Sequence, residues 1–248
     1  MEKKAKKSYE RKKYDKKSLS TVYQPIVQVD TRGIIGYEAL TRGVGKWHLP
    51  EEIFRLSYEE GNTVELDLDC LKRTFRILPK LKKKALLFVN VEPITLMMAF
   101  LKGQTGYALL KQYADYSDQV VIELTEGMKT KNFDLIKQGV QCIRKLGYKF
   151  ALDDIADIGI KLLKVISLKP DFIKIDRRLM KDIARSHFHQ SIVRQLISLA
   201  NQSRSLVIAE GIEQKKDLEF VRKIGIRYVQ GFYFSHPRKQ LLNAIQRR

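Results

Sequence analysis

Two short apolar runs in the stretch Phe150 to Asp176 end abruptly in charge, one in Asp153-Asp154 and the other in Lys174 and Asp176. The intervening ADIGIKLLKVISL has apolar residues at roughly helical spacing and is closed by Lys169-Pro170, so the stretch reads strand, turn, helix, strand. In such a βαβ unit the parallel strands are buried on both faces, and polar side chains leave the core at the strands' carboxyl ends. Two adjacent carboxylates and a lysine at such ends suit a metal and a phosphate. Taken singly, an aspartate after a strand reads as a helix N-cap, and a Lys-x-Asp pair as a surface ion pair. Repetition shifts the balance, because Glu38, Asn90, Glu123, Glu210 and Gln230 also stand at or near the ends of apolar runs. Glu, Lys and Gln are poor caps, so a shared site explains the set better than independent capping does. Hard oxygen donors without histidine or cysteine suit Mg²⁺ or Mn²⁺. Two such ions can clamp the attacking and leaving oxygens of a phosphodiester and lower the pKa of an attacking water. A neighbouring lysine can stabilise phosphate charge or orient that water. The arrangement predicts phosphoester hydrolysis.

Bringing those ends together requires successive strand–helix units closing into a barrel. TVYQPIVQVD and IIGYEAL, joined at Thr31-Arg32-Gly33, read as two strands and a tight turn. Pro50-Glu51-Glu52 opens a helix, LDLDCLKRTFRIL continues as a second, and ALLFVNVEP is a buried strand ending at Asn90. Two helical segments lead to QVVIELTE, with Glu123 and Glu126 at its end. FDLIKQGVQCIRKLG is an amphipathic helix with Gly147 as its C-cap, followed by the strand YKFALDD. RRLMKDI and HQSIVRQLISLANQS read as a long helical region, SLVIAEGIE as a strand ending in Glu210 and Glu213, and KKDLEFVRKIG as a helix. The short strand IRYVQGF ends at Gln230, and QLLNAIQRR is expected to form a last helix. No linker or second composition regime interrupts the series, so one domain is expected.

The 248 residues are enough for a single α/β barrel, which typically takes about 250. No apolar run approaches the ~20 residues needed to cross a bilayer, and the Lys-rich amino terminus lacks the apolar core of a signal peptide, so a cytoplasmic location is expected. Cys70 and Cys142 are far apart inside helical patterns and suggest neither a disulfide framework nor a thiolate site. A formal net charge of +19 asks for an anionic partner or surface nearby. Much of it lies in residues 1–17, MEKKAKKSYERKKYDKK, a basic run without a periodic apolar face that reads as a disordered tail. That tail could touch an anionic surface or keep the protein soluble.

With these residues assembled, the chain resembles the EAL-type cyclic-di-GMP phosphodiesterases from about Ser20 to Arg238. The strings YQPIV, YEALTR, FVNVEP, IELTE, ALDD, FIKID, AEGIE and QGFYFSHP stand in the family's order. The resemblance implies a modified (β/α)8 TIM-like barrel with an antiparallel first strand, spanning residues 18–248. It implies hydrolysis of cyclic-di-GMP to linear pGpG, with Ca²⁺ supporting binding without turnover. Carried over position by position, Glu38, Asn90, Glu123 and Asp153 are similar to ligands of a first ion, and Asp153 with Asp154 to ligands of a second. Lys174 is similar to the lysine that holds a catalytic water, and Glu210 and Gln230 to residues completing the metal and water network. Gln24 and Arg42 resemble substrate contacts, Arg42 being suited to a phosphate through two parallel hydrogen bonds. Glu126 resembles the glutamate that steadies the loop after the aspartate pair, with Asp176 and Glu213 supporting.

The chain departs from the family in that loop. Asp154 is followed by Ile155-Ala156-Asp157-Ile158-Gly159-Ile160-Lys161, where the family carries Phe-Gly, a second glycine and a serine. Ile and Ala do not readily take the positive φ open to glycine. A homodimer with activity below that of a standard member is therefore expected. A catalytically impaired cyclic-di-GMP receptor and an interaction scaffold are the alternatives. His187-x-His189 completes no ligand set and reads as surface. Met97-Met98 reads as packing. Trp47 and His48 either border the pocket or pack in the core, and Gly43 and Gly45 form no nucleotide-binding fingerprint.

Overall fold

The structure is a computed structural model that describes residues 19–43, 50–125, 132–156 and 166–245. Eight strands close into a barrel in chain order. They are β1 (Ser20–Gln28), β2 (Ile34–Arg42), β3 (Leu86–Asn90), β4 (Val120–Thr125), β5 (Lys149–Ile155), β6 (Phe172–Ile175), β7 (Leu206–Ala209) and β8 (Tyr228–Val229). β1 runs antiparallel to both neighbours, β2 and β8, and every other adjacent pair is parallel. The expected hairpin and the antiparallel first strand are both present.

Helices clothe the outside: α1 (Pro50–Glu60), α2 (Thr63–Phe75), α3 (Pro93–Met98), α4 (Thr105–Gln112), α5 (Phe133–Lys145), α6 (Arg177–Met180), α7 (His187–Ser203) and α8 (Lys215–Lys223). α5 shows why. Ile136, Val140 and Ile143 recur at helical spacing and are buried, and the helix stops where Gly147 takes φ 90°.

Strand periodicity divides the core in two. Leu87, Val89, Ile122, Leu124, Phe150, Leu152, Ile173 and Ile175 point outward and pack with the helices. Their alternates Phe88, Val121, Ala151 and Phe172 point inward with Ile26 and Ile208 and form a separate cluster inside the barrel. Phe88 and Phe172 meet edge to face there, with ring centroids 5.1 Å apart. This layer plugs the amino-terminal half of the barrel and leaves the carboxyl-terminal half for polar groups.

Two expectations fail. Residues 239–245 form no helix. Just after Pro237, Arg238 is drawn into an antiparallel bridge with Tyr23, and Tyr37 Oη then donates to Leu242 O. The long helical region after β6 is split, because Lys181 is extended and Asp182 takes φ 53°, which ends α6 after four residues. Met97 packs against the core as expected, but Met98 is largely exposed. Of the histidine pair read as surface, His187 is exposed at the start of α7, whereas His189 is half-buried. Residues 1–18, Trp47 and His48, Glu126, and most of the helix expected between β5 and β6 lie outside the described residues.

Candidate active site

The inward-facing residue two positions beyond each apolar plug residue is polar. Ile26 alternates with Gln24, Phe88 with Asn90, Val121 with Glu123, Ala151 with Asp153, Phe172 with Lys174, Ile208 with Glu210 and Tyr228 with Gln230. Because the side-chain period of a strand is two, one register fixes both layers, and barrel closure brings the polar members together.

Lys174 is their centre. Fully buried, its Nζ lies 2.8 Å from Glu210 Oε1, 3.0 Å from Glu123 Oε1, 3.0 Å from Asp153 Oδ1 and 3.3 Å from Glu38 Oε2. Burial disfavours the ammonium, but Asp153, Glu123, Glu210 and Glu38 together outweigh it and hold the lysine pKa well above 10.5. In the metal-free site Lys174 is therefore held as a cation and a hydrogen donor. One positive charge cannot offset so many carboxylates. Burial, eased by Lys174 and worsened by the neighbouring acids, drives Glu123 and Glu210 well above the ordinary carboxylate range and pushes Asp153 up to about 6. Asp154 is also raised, by its partial desolvation first. Glu38 is the exception: burial raises it, but Lys174 and hydrogen bonds from Gln230 and Asn90 lower it further.

Those hydrogen bonds orient Glu38. Asn90 Nδ2 donates to its Oε1 at 2.9 Å, and Gln230 Nε2 donates to its Oε2 at 2.6 Å. Gln230 Nε2 also reaches Gln24 Oε1 at 3.0 Å, and Gln24 Nε2 donates to Ser235 O at 3.1 Å. Both ends of the buried Gln24 amide are thus engaged, which casts it as a support for Gln230. Gly211 and Gly231 let the chain turn beside these residues. Gly211 has φ 66°, and a Cβ there would stand 2.3 Å from Arg177 Cβ; a Cβ on Gly231 would stand 2.1 Å from Ile212 O.

A bulge in β5 sets the aspartate pair. Pairing with β6 shifts between Leu152 and Ile155, and Asp154 takes φ 57°, a left-handed conformation that aspartate tolerates better than most residues. Asp154 N donates to Asp153 Oδ1 at 2.9 Å. The positive φ thus falls on Asp154, and neither Ile155 nor Ala156 takes it. Ile155 is wholly buried and belongs to the outer core, while positions 157–165 lie outside the described residues.

The donor set fits hard cations. Glu38, Glu123 and Asp153 form one group of ligand atoms within 4.8 Å of one another, and Asp153, Asp154 and Glu210 form another. Asp153 is common to both, as a bridging carboxylate would be. Glu123 Oε1 faces Lys174 Nζ, whereas Oε2 is buried without a hydrogen-bond donor, a vacancy in the bonding of an acid that a cation would fill. All-oxygen donors select Mg²⁺, Mn²⁺ or Ca²⁺ over softer ions.

Above the cluster opens a cavity of about 560 Å³, a size that accommodates a small organic ligand. Arg42, Asp176 and Glu213 line it together with Glu38, Asn90, Asp154 and Glu210. Asp176 caps α6, accepting from Arg178 N at 2.6 Å and from Arg178 Nε at 2.9 Å, so the capping reading holds for that residue. Glu213 is exposed at the rim.

Sequence reasoning passed over Asp67. On the apolar face of α2, it is buried against the same cavity and accepts from Glu92 N at 2.7 Å, just beyond Asn90. Burial pushes its pKa up to about 7. An acid inside the stripe formed by Leu66, Cys70 and Leu71 was the available signal.

The EAL domain family model matches residues 8–237. The chain is 26% identical over 226 residues to the probable cyclic di-GMP phosphodiesterase PdeA of Escherichia coli K12, covering 90% of this chain and 31% of that protein. It is 29% identical over 240 residues to the cyclic di-GMP phosphodiesterase PdeR of the same organism, covering 92% and 35%. The chain thus spans about a third of the length of these curated relatives. Klebsiella pneumoniae BlrP1, solved at pH 8.0 as a calcium/cy-diGMP complex, superposes with a TM-score of 0.79 at 26% identity, covering 94% of this chain and 59% of that one. The matched length includes every strand of the barrel, and the chain belongs to the EAL domain family.

Proposed function

We propose that this chain hydrolyses cyclic-di-GMP to linear pGpG, using two divalent ions, Mg²⁺ or Mn²⁺, in second-messenger signalling. The observation that carries the reading is the pair of carboxylate groups sharing Asp153 around a buried lysine. Glu38, Asn90, Glu123 and Asp153 would hold one ion, and Asp153, Asp154 and Glu210 the other. When bound, such ions neutralise charge on the phosphodiester and lower the pKa of an attacking water.

The chain's own residues do the rest. Lys174 donates a hydrogen bond to the water oxygen and so points its free electron pair at phosphorus; a new P–O bond forms as the ester P–O bond breaks, the attacking water giving one proton to solvent and the leaving oxygen taking one from solvent. Gln230 and Asn90 fix Glu38 so that it keeps one orientation. Arg42, on the cavity wall, is placed for the substrate phosphates. Gln24 acts through Gln230 in the free protein and contacts substrate only if that hydrogen bond is exchanged. Glu126, Asp176 and Glu213 support the rim and the adjoining loop.

The relatives that bear on this reading are named for cyclic di-GMP phosphodiesterase activity or were solved with the dinucleotide. We further propose a cytoplasmic homodimer in which residues 18–248 form the phosphodiesterase domain and residues 1–17 a basic tail near an anionic surface. Among the described residues no helix is long and apolar enough to cross a membrane. Ca²⁺ is expected to support binding while inhibiting turnover, and activity below that of a standard member is expected from the altered loop.

Two measurements test the proposal: calorimetric titration with cyclic-di-GMP in Ca²⁺, then a pGpG assay in Mn²⁺. Binding with product supports it. Binding without product would make the chain a receptor, and no binding would make it a scaffold.

A further inference from the structure

We infer that the amino-terminal end of the barrel, opposite the active site, is a docking face for an anionic membrane surface. The loops entering the strands meet there, and hydrogen bonds stitch neighbouring loops together. Arg222 Nε donates to Asp30 Oδ1 at 2.8 Å, and Val29 N donates to Arg227 O at 2.9 Å. Gln119 Nε2 donates to Lys82 O at 2.9 Å, Lys149 Nζ donates to Asp118 O, and Arg144 donates to Lys169 O. Leu206 N donates to Asp171 O at 2.9 Å. The loops before β3 to β7 are braced in one series, and the turn after β1 is braced to the loop before β8.

Its charge is strongly biased. Lys82, Lys83 and Lys84 stand exposed in a row before β3, and Lys169, Arg204 and Arg227 stand exposed before β6, β7 and β8. Among the described residues, none of these six pairs with a carboxylate. Asp30 and Asp171 on the same rim are already matched by Arg222 and Arg144, leaving Asp115 and Asp118 to subtract. Basic side chains at helix carboxyl termini complement the helix dipole, which accounts for Arg144, Lys145, Arg222 and Lys223. The triple lysine before β3 follows a 3-10 turn and an extended residue, so dipole complementation does not explain it.

The chemistry favours a lipid surface over a nucleic acid. The face is a broad barrel end, and among the described residues the large apolar side chain exposed upon it is Leu206, 42% accessible and two positions from Arg204. An aliphatic side chain amid lysines can enter a headgroup layer, whereas base recognition calls for stacking aromatics or a charged groove. Docking this way leaves the cavity at the far end open to a soluble dinucleotide.

The test is sedimentation of the full chain with vesicles of phosphatidylglycerol in phosphatidylcholine, beside pure phosphatidylcholine and duplex DNA. The expected result is binding to the anionic vesicles alone, weakening steeply with salt. The variant Lys82→Ala/Lys83→Ala/Lys84→Ala should bind about 100-fold more weakly, at about fivefold per side chain. Leu206→Gln should weaken binding several-fold, and Lys3→Ala/Lys4→Ala/Lys6→Ala/Lys7→Ala should change it less than the triple variant does. No binding by the parent chain, parent-like binding by the triple variant, loss confined to the tail variant, or tighter binding to DNA would each overturn the inference. An unchanged melting temperature in the triple variant confirms that it is folded.

Discussion

The two halves of the barrel interior are made by the same strands in the same register, yet they are held by opposite physics. In the amino-terminal half, Ile26, Phe88, Val121, Ala151, Phe172 and Ile208 close a dry apolar plug. Two residues further along, Glu123, Asp153 and Glu210 crowd around Lys174, joined by Glu38 from β2. The plug gains free energy by leaving water, about 25 cal/mol for each Å² of apolar surface buried. The charged layer loses hydration, and one ammonium repays it only in part, as the raised pKa values of Glu123, Asp153 and Glu210 record. A stable plug thus carries a cavity floor whose unmet charge is suited to divalent cations.

Substitutions in the two layers should therefore fail differently. Glu38→Ala and Asp153→Ala should each lower kcat on the order of 10³-fold or more with little loss of fold, as a product assay in Mn²⁺ would register. Full activity in either would remove the metal-site reading. Lys174→Ala should lower kcat by about 10²–10³-fold while cyclic-di-GMP still binds in Ca²⁺. Without metal it should also lose about 3–5 kcal/mol of stability, because a buried pair is broken from one side. Added Mn²⁺ should restore part of that loss by substituting for the missing charge. Phe88→Ala should lose a comparable 3–5 kcal/mol through cavity formation, and Mn²⁺ should recover no more than it adds to the parent chain. Equal metal rescue of Phe88→Ala and Lys174→Ala in thermal melts would erase the distinction between the layers.

A smaller effect follows from the outer core. Because Ile155 is wholly buried, the family-like Ile155→Phe should overpack its site and cost about 1–3 kcal/mol without raising kcat. A rise in kcat from that single change would mean that the ring, and not packing, limits this chain.

The gentlest probe is pH. Carboxyls whose folded pKa is raised bind more protons in the folded state than in the unfolded one. Their favourable contribution is complete below the unfolded pKa and is lost as pH rises through the folded value. For Asp153 that window runs from about 4 to about 6, and for Glu123 and Glu210 it opens at the ordinary glutamate value and runs upward from there. Lys174 stays charged throughout the window and adds no slope. Metal-free melting temperatures should fall across this range, and Glu123→Gln should flatten the fall; an unaltered slope would place the unmet charge elsewhere.

The sequence by itself determined which residues could meet and roughly at what level. Apolar runs ending in acid or lysine, recurring in successive strand–helix units, identified Glu38, Asn90, Glu123, Asp153, Lys174, Glu210 and Gln230, because period two ties each of them to its strand. The Thr31-Arg32-Gly33 turn likewise gave the hairpin, since short-range geometry is enough to specify it. Tertiary structure alone decided how those residues share charge. Lys174 sits at the centre of four carboxylates because eight strands close into a ring, a relation among positions up to 172 residues apart. The same closure engages both ends of the Gln24 amide, buries Asp67 beneath the cavity and draws Arg238 onto β1 in place of a last helix. Asp154 takes its left-handed turn because β5 must shift register to meet β6. Local patterning sees the end of a strand; the distance between two such ends, and so the charge balance of the site, exists only once the barrel is closed.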